Sequence, residues 1–158
     1  MRRHDERGVS SAVSQVLAIG ITAILVTGVL FGASGFINDE RERAAERELG
    51  VVGERMASEL EQLDRVLDGG SDGEATVATR HPRRVAGLAY TVTLTDAAAE
   101  CGPGGTPCLV LRSNDLPART VVAVRLSGSV SPSTVAGGRF QFVYDPSGGF
   151  RVESGVGP

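Results

Sequence analysis

The chain has 158 residues and a net charge of −3, with 22% charged and 41% hydrophobic residues. That mixture excludes a fully disordered chain, and 21 glycines without a G-X-Y period exclude collagen. All 16 basic residues are arginine, and 19 acids outweigh them, so no basic field exists for nucleic acid to read.

The chain opens on MRRHDERG, a polar leader carrying Arg2, Arg3 and Arg7. Residues 9–37 then contain no ionisable side chain. About 20 apolar residues cross a hydrocarbon core of roughly 30 Å, and this stretch as helix is roughly 43 Å long. Val, Ile and Leu dominate residues 16–30, with Gly and Thr interspersed as membrane helices tolerate. A small soluble domain cannot cover so long a helix that is apolar all round, so a buried core helix is the poorer reading. Gly28 and Gly32 form a G-x-x-x-G pair on one face. Glycine is common in such spans, and both a helix-packing face and chance placement remain open.

Three kinds of targeting segment compete for this N-terminus. A secretory signal wants a shorter apolar region and an A-x-A-like site, and the nearest match, Ala33-Ser34-Gly35, comes too late. A twin-arginine signal is hinted at by Arg2-Arg3, but His4, Asp5 and Glu6 follow where a hydrophobic pair is needed. The third fits best: Arg7-Gly8 followed at once by Val9-Ser10 and the apolar run resembles the class III signal of archaeal type IV pilins. The run RGVSSAVSQVLAIGITAILVTGVLFG looks most like haloarchaeal pilin-like N-termini, and a halophilic origin would suit an all-arginine, acid-leaning chain. The resemblance implies that a prepilin peptidase cuts after Gly8, that Arg7, Gly8 and Val9 form the processing site, and that the apolar helix is kept. It also implies a C-terminal part outside the cell membrane. Arginine counts at the two ends of the span are equal, so the positive-inside rule alone leaves orientation open. Bacterial type IV pilins place Glu five positions after the cut and begin on Phe; here Val13 and Val9 stand instead, which favours the archaeal branch.

From residue 38 the chain turns charged, and apolar residues recur at Ala45, Leu49, Val52, Met56, Leu60, Leu63 and Leu67. At 100° per residue they fall in an arc of about 80°, the stripe of an amphipathic helix. Asp39/Arg43, Arg55/Glu59 and Glu61/Arg65 are opposite charges four apart, each worth a few tenths of a kcal/mol. Gly50 and Gly53 weaken the helix by about 1 kcal/mol each relative to Ala. Asp68-Gly69-Gly70 ends it. No proline precedes residue 80, so residues 12–67 are expected to form one helix, roughly 84 Å long.

Beyond Ser71-Asp72-Gly73 the period changes to two. Tyr90, Val92 and Leu94 alternate with threonines, followed by Leu109/Leu111, Val122/Val124/Leu126, Phe140/Phe142/Tyr144 and Phe150/Val152, with residues 74–79 as a further edge strand. Such alternation reads as a half-buried antiparallel sheet whose cover is the helical stripe. With no Trp and few aromatics, the core should be aliphatic. The expected fold is α+β, type IV pilin-like: a leader over 1–8, a transmembrane or filament-core helix over 9–37, an amphipathic helix over 38–68, a β head over 74–153 and a tail over 154–158.

Cys101 and Cys108 bracket a loop of Gly, Pro and Thr that can turn back on itself. Outside a membrane a disulfide is the favoured reading, two structural thiols the alternative, and a zinc site lacks two ligands. Thr79-Arg80-His81-Pro82-Arg83-Arg84 is expected to be a solvated strand edge, with contact to phosphate, anionic lipid or an acidic face the rival reading. No Ser/His/Asp order, carboxylate pair or phosphate loop can be recognised, so no enzyme, cofactor or metal is expected. Neither asparagine lies in an N-x-[ST] acceptor, which counts against an abundant pilus subunit. The expected function is a pilin-like surface protein, a membrane-held precursor and minor subunit of a type IV pilus-like filament. Its partners would be prepilin peptidase, membrane lipid and other pilin-like subunits. The rival is a single-pass anchored extracytoplasmic binding module that does not polymerise.

Overall fold

The computed structural model describes residues 5–68 and 73–155. Residues 1–4 of the expected leader, 156–158 of the tail, and most of the turn after the long helix lie outside the described residues. The architecture is α+β: a long N-terminal helix, α1 (Asp5–Asp68), followed by eight short strands and one helical turn. Two compact units divide the chain, residues 1–40 and residues 41–158.

The first unit is the apolar part of α1. Ala12–Asp68 contains a stretch of mean hydropathy 2.4, long and apolar enough to cross a membrane, and none of that stretch is buried. Val16, Leu17, Leu25 and Ile19 are 71%, 59%, 64% and 65% exposed, on different sides of the helix at 100° per residue. Thr22 donates its hydroxyl to the Ala18 carbonyl at 2.8 Å, and Thr27 to Ala23 at 2.7 Å. Both hydroxyls are thus satisfied inside the helix, which is how a polar side chain is tolerated where no water is present.

In the second unit the helical stripe is the floor of the core. Ala45, Leu49, Val52, Met56, Leu60 and Leu63 are buried, and Leu67 packs at the margin. Ala57, Gly53 and Asp64 are buried as well, which widens the face to about 140° at 100° per residue. Gly53 is a contact rather than a weak point. A Cβ there would lie 2.9 Å from Val122 Cγ2 and 3.1 Å from Leu111 Cδ1, so the missing side chain lets the helix backbone approach the strands.

The strands form two antiparallel sheets where one was expected. β1 (Ala75–Arg80), β7 (Arg139–Asp145) and β8 (Gly149–Ser154) pair in the order β1-β7-β8. The larger sheet runs β2 (Arg84–Val85), β3 (Leu88–Thr95), β4 (Cys108–Ser113) and β5 (Arg119–Ala123). A further strand, β6 (Ser133–Ala136), also pairs with β3. β6 is the seam: Ser133 Oγ accepts from the Val152 N–H of β8 at 2.8 Å, and Ser129 and Ser131 exchange backbone bonds with Phe150. Gly149 at φ +76° sits against Ser129, where any Cβ would collide with the backbone carbonyl. Asp145 closes the β7–β8 hairpin by accepting from Ser147 N–H and Oγ at 2.8 and 2.7 Å.

The inward residues follow the alternation: Tyr90, Val92, Leu94, Leu109, Leu111, Val122, Val124, Phe140, Phe142, Phe150 and Val152 are all buried. The core is not purely aliphatic. Three phenylalanines and Tyr90 are fully buried within it, with Phe140 and Phe142 edge to face at 5.4 Å. The chain has few rings and places most of them here.

Candidate functional site

Arg7, Gly8 and Val9 lie in the first turns of α1. Gly28 and Gly32 lie further along it, and a Cβ at either would meet nothing. Their faces are open along with the apolar side chains around them.

The second candidate is covalent. A helical turn, α2 (Ala98–Cys101), leads into the Gly102–Pro107 loop, and Cys101 and Cys108 are joined in a disulfide with Cα atoms 5.6 Å apart. Cys108 is buried at the start of β4, so the bridge ties an exposed loop to the core.

The third concerns the segment expected to be a solvated edge, and here the structure corrects that expectation in part. His81 is buried, its side chain 1% exposed. Its Nε2 lies 3.1 Å from Glu59 Oε2, and its ring stacks on Phe140 at 5.4 Å. Glu59 also takes Arg55 Nε at 3.2 Å, one turn back along the helix. Burial depresses the His81 pKa below its ordinary value; Glu59 pulls it up by charge and hydrogen bond, and Arg55 pushes it down. The imidazole is a post between helix and sheet. The neighbouring Tyr90 hydroxyl donates to the Pro82 carbonyl at 2.8 Å, and its burial pushes its pKa up to about 12.

The arginines beside this post remain exposed, as expected. Arg80 and Arg139 face each other directly in the β1–β7 register. Arg83 lies over Gly138, where a Cβ would come 2.9 Å from Arg83 Cγ, and Arg84 donates to the Gly87 carbonyl at 3.3 Å. Other arginines of the domain meet carboxylates: Arg112 and Arg119 share Glu100, and Arg151 bridges Asp145 and Glu153. In that last group hydrogen bonds from Ser147 hold Asp145 below the usual carboxylate range, and Arg151 does the same for Glu153.

A set of helix carboxylates escaped the sequence reading. Glu48 accepts from the Ala86 N–H at 2.6 Å, Glu61 from the Arg125 N–H at 3.1 Å, and Asp64 from both Ser127 N–H and Oγ. Glu61 therefore serves the loop that follows β5, whereas its spacing pairs it with Arg65. Acids flanking a buried stripe were the available signal: each satisfies a backbone donor at the sheet margin, and hydrogen bonds to charged groups are worth about 1.5–3 kcal/mol. Among the described residues no three His, Cys, Asp or Glu side chains group to hold a metal ion.

The chain belongs to a family of unknown function, DUF7266, whose pattern matches residues 4–153. The match takes in residues 4–8 of the polar leader, the whole of the apolar stretch, and the β domain. No curated protein and no solved structure matches the chain.

Proposed function

We propose that this protein is a pilin-like surface structural protein, held in the membrane by residues 9–37 and built as a minor subunit into a type IV pilus-like filament once residues 1–8 are removed. One observation carries the reading. A single helix supplies both an apolar stretch with no cover and the floor of the β domain's core. Apolar side chains exposed on every side cost about 25 cal/mol per Å² in water, so that stretch needs lipid, and later the same stretch of other copies. The family match beginning at residue 4 supports treating the residues before the span as part of the same unit. The Cys101–Cys108 disulfide supports a β domain outside the cytoplasm. The role is structural, with prepilin peptidase, lipid and sister subunits as partners.

The mature N-terminus tests this. A prepilin peptidase needs a small residue before the bond, which Gly8 provides, so intact mass and N-terminal peptides should begin at Val9, and mature protein should appear among sheared filaments. Met1 retained in mature material, or a start near Phe36, overturns the pilin reading. Recovery from membranes alone makes the protein a monomeric anchored binding module.

A further inference from the structure

The β domain is charged unevenly along β1. The strand is preceded by Glu74 and closes on Arg80, about 20 Å away at 3.3 Å per residue. At the Arg80 end, Arg80, Arg83, Arg84 and Arg139 are all exposed, and among the described residues none of them pairs with a carboxylate. Like charges placed directly opposite in a sheet are destabilising, as Arg80 and Arg139 are. The buried His81 post and the Tyr90–Pro82 bond hold this corner rigid.

The other end is a cleft of about 480 Å³ between the end of α1 and the β7–β8 hairpin, lined among others by Asp64, Asp68, Ser127, Tyr144 and Phe150. Ser127 Oγ stands 2.7 Å from Asp64 Oδ1 and 3.0 Å from Asp68 Oδ1. A hydroxyl has one proton, so it can donate to only one of these carboxylates. Asp64 also holds the Ser127 N–H; the exposed Asp68 is left short of a donor. A guanidinium supplies donors in a fork that matches a carboxylate and stacks on an aromatic ring such as Tyr144.

We propose that the arginine corner is an interaction surface whose partner is the Asp64–Asp68 end of a second copy of this chain. The chain as a whole is acidic at −3, so a cluster of unpaired arginines leaves the rest of every copy more acidic still. Corner and cleft are different surfaces, so the contact is head to tail and does not close on itself; repeated, it gives an open line of subunits. This rests on the filament reading above and gives that filament a contact outside the apolar helices.

The test places cysteines beside the charges rather than on them. Pro82→Cys flanks the arginine corner and Pro146→Cys lines the cleft; both prolines are exposed. The full-length double variant, oxidised in its own membrane, should give a ladder of dimers and higher species, while neither single variant gives more than dimers. Adding Arg80→Glu and Arg83→Glu should reduce the ladder by about tenfold or more, since like charges across a contact are strongly unfavourable. Adding Asp68→Arg and Glu74→Arg to that variant should restore it. Because cysteine at Pro82 could disturb the corner, sedimentation of the unaltered chain in neutral detergent gives a second readout: self-association should fall as salt is raised. A ladder indifferent to charge reversal, or self-association indifferent to salt, overturns the proposal. So does arginine-dependent binding to vesicles containing anionic lipid with no ladder, which makes a headgroup the occupant. A charge-dependent ladder with Met1 retained keeps this contact and removes the filament reading; filaments indifferent to charge reversal do the reverse.

Discussion

Residues 12–32 and residues 41–68 are the same kind of secondary structure with opposite solutions to the same problem. The first stretch is apolar on every side, and its two threonines bond back to their own helix. The second buries one apolar face, leaving Val51 and Val66 exposed, and its flanking acids reach out to loop N–H groups beside the strands. The difference teaches what each half is for. A helix whose threonines are satisfied internally asks little of its surroundings but that they be apolar. One whose carboxylates need foreign donors folds only with its sheet.

The sharpest way to break that comparison is to truncate one residue in each half. Leu49→Ala, fully buried, should cost the β domain about 2–5 kcal/mol in thermal or denaturant unfolding of the full chain. Ile24→Ala should leave that transition where it was, because Ile24 is 73% exposed and belongs to the other unit. Equal shifts from the two would mean the halves unfold together.

Next in size is the disulfide. Closing an eight-residue loop is worth about 2.5 kcal/mol on the chain-entropy estimate, so Cys101→Ser should lower stability by that order. Unreduced protein should also resist thiol labelling. Quantitative labelling of both cysteines would place the domain in a reducing compartment and turn its orientation around.

Asp64→Asn keeps the shape but weakens the acceptor that holds the Ser127 N–H, and about 1–2 kcal/mol should be lost, within the range for hydrogen bonds to charged groups. Asp39→Asn, at the start of the charged stretch, should do nothing measurable to the same transition.

The smallest effect is in pH. Folding lowers the His81 pKa below its ordinary 6.5, chiefly by burial, so the unfolded chain binds the extra proton more readily. Its contribution is therefore fully present above about 6.5 and is lost as pH falls from there through the lowered folded value. His81→Gln should flatten the slope of stability against pH in that window. A slope of the opposite sign would mean that the Glu59 pairing outweighs burial.

Much of the fold was legible in the residues. The helical stripe from Ala45 to Leu67 and the alternation at Tyr90, Val92 and Leu94 follow from periods of 3.6 and 2, which a sequence displays directly. What was not legible depends on residues far apart. Thr79–Arg84 reads as polar edge, and four of its side chains are; His81 is buried only because Glu59 and Phe140 arrive beside it from distant parts of the chain. β6 reads Ser-Thr-Val-Ala, too short and polar to announce a strand, yet it joins the two sheets. Gly53 looked like a flaw in a helix because the facing Val122 and Leu111 are not in its neighbourhood of sequence. Arg7-Gly8-Val9 and the Gly28/Gly32 pair are legible as motifs, and the fold does not test the roles expected of them.

The ring closed by Cys101 and Cys108 has a practical consequence. Its tip, Pro103 to Thr106, is exposed and lies outside every strand, while its base is locked by the bridge and by the buried start of β4. Lengthening such a loop costs only about 0.6 kcal/mol per doubling. A short epitope inserted between Gly104 and Gly105 would thus be displayed on a covalently closed stalk. Antibody access to it on intact cells would report, without fractionation, on which side of the membrane this domain lives.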